Sequence, residues 1–120
     1  MLAILCSFFS TAQHKVKFVI QQLPSYHSRG EPLYIAGSFN NWNPAHSDYK
    51  FSFSSGNDYV LTISLHRGLH EFKITRGVGI KWKVRRVVFP AQNRQVNIIA
   101  DTIIIINIQH WSDHFQVSRN

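Results

Sequence analysis

The sequence of 120 residues has little cysteine, few carboxylates and no long apolar segment, and each shortage excludes a class of protein. Cys6 is the only cysteine, so neither an intrachain disulfide nor a zinc site built from cysteines can form. Six Asp and Glu stand against thirteen Lys and Arg, and no pair of carboxylates looks positioned for glycosidase chemistry. The apolar runs are too short to cross a bilayer as a helix.

Catalytic and metal-binding motifs are also missing, and we expect no enzyme activity, no cofactor and no metal. The sequence has no Gly-x-Ser-x-Gly elbow and no phosphate-binding P-loop. His110 and His114 have helical metal spacing but lack a third ligand nearby, so a solvated tail is the better interpretation.

Residues 1–12 form a short apolar run that ends in small residues. Leu2 to Phe9 are mostly apolar, and Ser10 and Ala12 fit the positions just before a signal-peptidase cleavage site. Basic residues are absent before the run, so the pattern predicts a truncated signal peptide. We therefore expect a secreted or periplasmic protein, with a buried first strand or a disordered tail as the alternative.

After residue 12 the pattern is one of short strands separated by turns. Val16, Phe18 and Ile20 recur at every second position, and no window keeps apolar residues at helical spacing for three turns. Seven or eight strands predict an all-β sandwich over residues 13–112, with 113–120 as a tail or the start of a linker. The predicted strands include 81–89 and the nearly all-apolar run 102–108, which we expect to be covered on both faces.

The segment Gly37-Ser38-Phe39-Asn40-Asn41-Trp42-Asn43-Pro44 interrupts this pattern after the apolar run 33–36. Glycine, asparagine and proline end a strand and form a turn. Trp42 then lies among small polar residues, where an indole has little core to fill and can serve as a platform for the flat face of a sugar. An indole buried at a corner of the sandwich is the alternative.

Two further segments complete a resemblance. They are Gly68-Leu69-His70-Glu71-Phe72-Lys73-Ile74-Thr75-Arg76 and Gln92-Asn93-Arg94-Gln95-Val96. Together with the tryptophan segment they resemble the starch- and glycogen-binding carbohydrate-binding modules, such as the starch-binding domains of amylolytic enzymes and the glycogen-binding domain of the AMP-activated protein kinase β subunit. The resemblance covers about residues 16–111.

The resemblance implies a two-sheet, antiparallel, immunoglobulin-like sandwich that binds α-glucan, such as starch, glycogen or malto-oligosaccharide, without hydrolysing it. Similar modules precede secreted bacterial esterases, which implies a catalytic domain C-terminal to this chain, a hydrolase or an esterase, as a further partner. It also implies the binding residues: Trp42 and Trp82 as stacking platforms, and Lys73 and Asn93 as hydrogen-bonding groups. Trp111, after the last strand, is interpreted instead as a packing or domain-boundary residue.

Other interpretations of the same residues stay open. The stretch between Trp82 and Asn93 is longer and more basic than in compact starch-binding modules, and both Lys73 and Asn93 fit ordinary strand and turn positions. A structural or protein-interaction sandwich that has lost sugar binding would bury Trp82 and cover Trp42. Polyanion binding is the third hypothesis, because residues 73–94 hold seven Lys and Arg and no acidic residue. Solvated surface charge explains that segment better, so nucleic acid is not an expected partner.

Overall fold

The structure is a computed structural model, and it describes residues 12–53, 58–81, 84–87 and 93–111. Its strands are β1 Gln13–Gln22, β2 Tyr34–Gly37, β3 Ser52–Phe53, β4 Tyr59–His66, β5 Gly68–Thr75, β6 Val78–Lys81, β7 Val84–Val87, β8 Arg94–Ile98 and β9 Thr102–Asn107. A short 3₁₀ turn, Ser47–Tyr49, precedes β3. Within these ranges no helix has the length and hydropathy needed to cross a membrane.

Two sheets form the sandwich, which confirms the predicted fold class. One sheet has the strand order β3-β4-β1-β9, the other has the order β2-β5-β8, and β6 pairs with β7 in a separate two-stranded ribbon. The pairs are antiparallel with one exception, because β1 and β9 run parallel. Parallel neighbours need a long connection between them, and here nearly the whole domain lies between the two strands.

The core fills the space between the two sheets with the alternate side chains of each strand. Phe18 of β1 meets Phe72 of β5 edge to face, with ring centroids 5.3 Å apart, so the two sheets touch through aromatic rings. Burial of each such side chain contributes roughly 1.5–3 kcal/mol. The fully buried members are Val16, Phe18, Ile20, Leu33, Ile35, Tyr59, Phe72, Ile74, Ile98, Ile106, Ile108 and Trp111.

The last strand is open on one face, so the prediction that 102–108 is covered on both faces is wrong. Ile103 is 60% exposed and Ile105 is 48% exposed, whereas Ile106 is buried. The reason is that the outer face of this sheet is open to solvent: Lys17 of the inner strand β1, which pairs with Ile103, is exposed on the same face. The apolar composition of β9 therefore does not show that both of its faces are buried.

The prediction of a single strand over 81–89 is also wrong. Lys81 ends β6 and pairs with Val84 at the start of β7, so the chain reverses within the predicted strand. Gly77 has a φ of +85° just before β6, in the left-handed region that favours glycine. The residues of the predicted strand therefore belong to two short antiparallel strands, and the chain reverses between Lys81 and Val84.

Trp111 is completely buried and ties the C-terminal part of the described chain to the loop after β1. Its backbone N–H donates to Tyr26 Oη at 2.9 Å, and its Nε1–H donates to His27 Nδ1 at 3.2 Å. Tyr59 Oη donates to the Glu31 carbonyl at 2.8 Å and lies 3.3 Å from His27 Nε2, which must therefore carry the ring proton. The interpretation of Trp111 as a packing residue is confirmed.

His27 should make the stability of the fold depend on pH. Burial lowers the pKa of His27 from its ordinary value of 6.5, opposed by the nearby Glu31 charge and assisted by that of Arg76. A lowered folded pKa means that the unfolded chain takes up the proton first as the pH falls. The contribution of the neutral His27 to stability is therefore complete above about pH 6.5. We expect it to be lost progressively as the pH falls from there toward the pKa of His27 in the folded protein.

Urea denaturation at a series of pH values between about 7.5 and 5 measures this dependence. In the His27→Gln variant, glutamine can still accept from Trp111 but does not titrate, so the fall in the free energy of unfolding should be smaller. An identical pH profile in both proteins would contradict the assignment to His27.

Candidate functional site

The turn that carries Trp42, residues 37–45, is held by hydrogen bonds at both ends. The carbonyl of Gly37, the last residue of β2, accepts from the Asn40 N–H at 3.1 Å and from the Trp42 N–H at 2.9 Å. The buried Asn40 side chain accepts from the Gly37 N–H at 2.9 Å and donates to the Ile35 carbonyl at 3.0 Å. Asn43 Oδ1 accepts from the Ala45 N–H at 3.0 Å. The asparagines in the sequence therefore fix the shape of the turn.

The turn also holds two residues in a backbone conformation that L-residues rarely adopt. Asn41 has a φ of +57° and Trp42 a φ of +56°. Asparagine tolerates this left-handed region, but a bulky tryptophan there costs on the order of 1 kcal/mol. Trp42 is nevertheless 37% exposed, so the cost is not offset by full burial of the indole. Strained residues of this kind cluster at functional sites, which makes Trp42 the leading candidate.

Gly37 is required at the start of this turn. A Cβ at this position would lie 2.5 Å from the Glu71 carbonyl oxygen and 2.7 Å from the Phe39 ring. Because one of those atoms belongs to the backbone of β5, Gly37→Ala should destabilise the protein by about 1–3 kcal/mol, measured by urea denaturation. Ser38→Ala is the matched control and should be nearly neutral, since Ser38 is exposed. A variant as stable as the wild type would contradict the close packing of this turn.

Lys73 lies on the outer face of the three-stranded sheet, half-buried between the buried Phe72 and Ile74. Its partner on β2 is Ala36, one residue before the turn that carries Trp42. On the other side β5 pairs with β8 as far as Phe72 opposite Arg94, and Asn93 is the residue just before β8. Lys73 therefore lies in β5, Trp42 on the turn after β2, and the exposed Asn93 just before β8, and these three strands form one sheet.

Trp82 lies outside the described residues, between Lys81 and Val84 in the sequence. Its role as a second platform stays a prediction.

Asn97 is a polar residue on this outer face that the sequence analysis did not select. It pairs with Leu69 of β5, which is 64% exposed, and Glu71 and Gln95 follow as the next outward pair, joined by a hydrogen bond of 2.8 Å. The alternation of apolar and polar residues along β8, with Ile98 buried and Asn97 exposed, could have indicated this residue from the sequence. The outer face thus offers amide and carboxylate groups near the predicted site.

Two of the seven basic residues in 73–94 serve the fold. Arg76 forms an ion pair with Glu31, with Nε 2.9 Å from Oε2, and its guanidinium lies 5.4 Å from the centre of the Trp111 ring. Arg94 donates to the Asn107 carbonyl at 2.9 Å, and burial lowers the pKa of its guanidinium. These contacts leave less of the segment for polyanion binding.

Comparison with known proteins gives one partial relative. No family model matches the chain. An α-amylase from Niallia circulans is 29% identical to it over 94 residues, which cover 68% of this chain and 6% of the amylase. The chain therefore spans only a small part of the length of the curated relative that it matches.

Proposed function

We propose that this chain is a non-catalytic module that binds α-glucan through stacking on Trp42. The observation that carries the proposal is an indole 37% exposed to solvent and held at a φ of +56° by a turn with four internal hydrogen-bond acceptors. A glucose ring presents C–H groups on its faces and hydroxyls around its rim. A rigid indole fits the faces, and polar side chains nearby fit the rim.

Lys73 and Asn93 are the proposed partners of the sugar hydroxyls. An ammonium group supplies donors, and an amide supplies both a donor and an acceptor, so together they can recognise hydroxyls of either orientation. Such open sites bind weakly, with a Kd of roughly 0.01–1 mM or about 4–7 kcal/mol. A polymer that engages several modules at once would be held more firmly. Trp82 is retained in this proposal as the second platform.

The relative supports the ligand class. The matching protein is named as an α-amylase, and a match of 94 residues, 6% of its length, is consistent with an accessory module. We propose that the module directs an attached or partner enzyme, a hydrolase or an esterase, to its polysaccharide. The apolar N-terminal run supports a secreted or periplasmic protein.

A binding role without catalysis also fits the use of the carboxylates. Glu31 is paired with Arg76, and Glu71 accepts a hydrogen bond from Gln95. Asp101 Oδ1 accepts from the Lys15 N–H at 2.9 Å and lies 3.5 Å from His14 Nδ1. Each of these acids therefore has a structural partner rather than a second carboxylate across a cleft.

A protein-interaction module is the second candidate, because Ile103 and Ile105 expose apolar surface on an edge strand. This candidate predicts no binding to polysaccharides, so its mobility would be the same in gels with and without them. Binding of a polyanion would instead weaken steeply with salt.

Affinity electrophoresis in gels containing soluble starch or glycogen tests the proposal. Because its formal charge is +7, the protein migrates toward the cathode, and the gel is run with the electrodes set accordingly. We expect retardation in starch and glycogen gels, none in gels with dextran, and little change with salt, because the ligand is neutral. Equal mobility in gels with and without polysaccharide would refute glucan binding.

A further inference from the structure

A groove of about 470 Å³ opens beside the first half of the tryptophan turn, away from the residues assigned above. It lies where β4 ends and β5 begins, and Ser38 and Phe39 of the turn form one side of it. Trp42, Lys73 and Asn93 do not line it. Its volume falls within the range of ordinary small-ligand sites and is sufficient for one or two sugar rings.

The walls of the groove provide apolar surface next to water. Phe39 stacks on Tyr49 with ring centroids 5.7 Å apart and an angle of 26° between the planes. The same Phe39 meets the His70 ring edge to face at 6.1 Å. Leu69, which is 64% exposed, completes this apolar side. A ligand with one apolar face could therefore pack against rings that are already positioned by one another.

The polar groups of the groove are fixed as well. His70 Nε2 is 2.7 Å from the His66 carbonyl oxygen, so that nitrogen carries the proton and Nδ1 of the neutral ring is an acceptor. His66 Nε2 lies 3.4 Å from the Gln13 amide nitrogen and accepts from it, which leaves His66 Nδ1 as a donor. Ser64 adds a hydroxyl, which both donates and accepts.

The chemistry of this lining selects the ligand class. Its described residues include no Asp, Glu, Lys or Arg, so it offers little to an anion or a cation at neutral pH. Nor do the described residues bring together three metal-ligating side chains here or elsewhere. Donors and acceptors beside an apolar wall fit a neutral molecule that has hydroxyls around its rim and an apolar face.

We propose that this groove is a second binding site, which holds one or two glucosyl units of an α-glucan. The inference rests on the proposed function, because the glucan is the ligand that supplies this chemistry. Since Phe39 and Trp42 belong to one hydrogen-bonded turn, the two sites flank the same rigid segment and allow one polymer chain, or two neighbouring chains, to contact both. Two weak sites on one module would hold a polymer more firmly than either alone.

Nuclear magnetic resonance titration of the amide signals with maltose and maltoheptaose tests the second site. We expect two sets of shifts that saturate with different affinities, one at residues 41–45 and one at residues 64–70. Ser64→Leu removes a hydroxyl and fills the groove, and it should weaken binding at the second set by roughly fivefold or more. Thr62→Leu, at an exposed position of the same strand face outside the groove, should change neither set. Trp42→Ala should remove the first set and retain the second.

Three results would overturn the inference, and they differ in what else they overturn. If residues 41–45 respond and residues 64–70 do not, the groove is not a sugar site, while glucan binding by Trp42 stands. If neither set responds to either ligand, the proposed function fails and the second site fails with it. Equal weakening of the second set by Ser64→Leu and Thr62→Leu would also count against the groove, because only Ser64 lines it.

Discussion

Trp42→Ala is expected to reduce retardation in starch and glycogen gels strongly while leaving the fold intact. The indole supplies the stacking surface, and loss of such a central aromatic residue typically costs about 2 kcal/mol or more, roughly a thirtyfold drop in affinity. For a site with a Kd near 0.01–1 mM, that loss of about thirtyfold leaves binding at Trp42 too weak to retard the protein by itself. The affinity gel and a maltoheptaose titration both measure it.

The stability of the same variant provides the control. Because Trp42 lies on a turn and is 37% exposed, the free energy of unfolding should change by less than about 1 kcal/mol. Trp42→Tyr keeps a smaller ring and should retain part of the binding. Retardation of Trp42→Ala equal to that of the wild type would rule out this indole as the sugar platform.

Trp111→Ala is expected to have the opposite effect, with a large loss of stability. Trp111 is fully buried, and its removal should lower the free energy of unfolding by about 3–5 kcal/mol, a large part of the 5–15 kcal/mol typical of a small domain. The loss combines the apolar contacts of the ring with the hydrogen bond to His27. Urea denaturation of Trp42→Ala and Trp111→Ala under the same conditions compares their free energies of unfolding.

Trp111→Phe separates the two parts of that loss. Phenylalanine retains much of the packing but leaves His27 Nδ1 without its donor, which by itself should cost about 1–3 kcal/mol. If the free energy of unfolding of Trp111→Ala lies within about 1 kcal/mol of the wild-type value, the segment around Trp111 is not part of the cooperative fold.

The strands that the sequence predicted well are those with one buried face. In β1 the buried Val16, Phe18 and Ile20 alternate with exposed lysines, and the period of two is local information that needs no knowledge of the neighbouring strand. The turn at residues 37–45 was equally predictable, because glycine and asparagine act through the backbone of their own neighbours. Both features depend on residues close together in the sequence.

Errors arose where the answer depended on distant residues. Ile103 and Ile105 have the composition of a buried strand, yet they are exposed because they lie on the open outer face of the four-stranded sheet. The basic stretch 81–89 alternates like one strand, but Lys81 pairs with Val84 and makes it two. Whether a face of a sheet is covered, and where the chain reverses, depend on residues far apart in the sequence.

The candidate site divides in the same way. The amino-acid order alone was enough to indicate a β-sandwich, a tight turn bearing Trp42 and polar residues suited to a sugar, because these follow from alternation and turn chemistry. Only the folded chain decided that Trp42 is exposed while Trp111 is buried, that the strand of Lys73 lies between β2 and β8, and that Phe39, His66 and His70 line a groove. Those relations come from strand register and from the meeting of loops far apart in sequence, which local patterns do not encode.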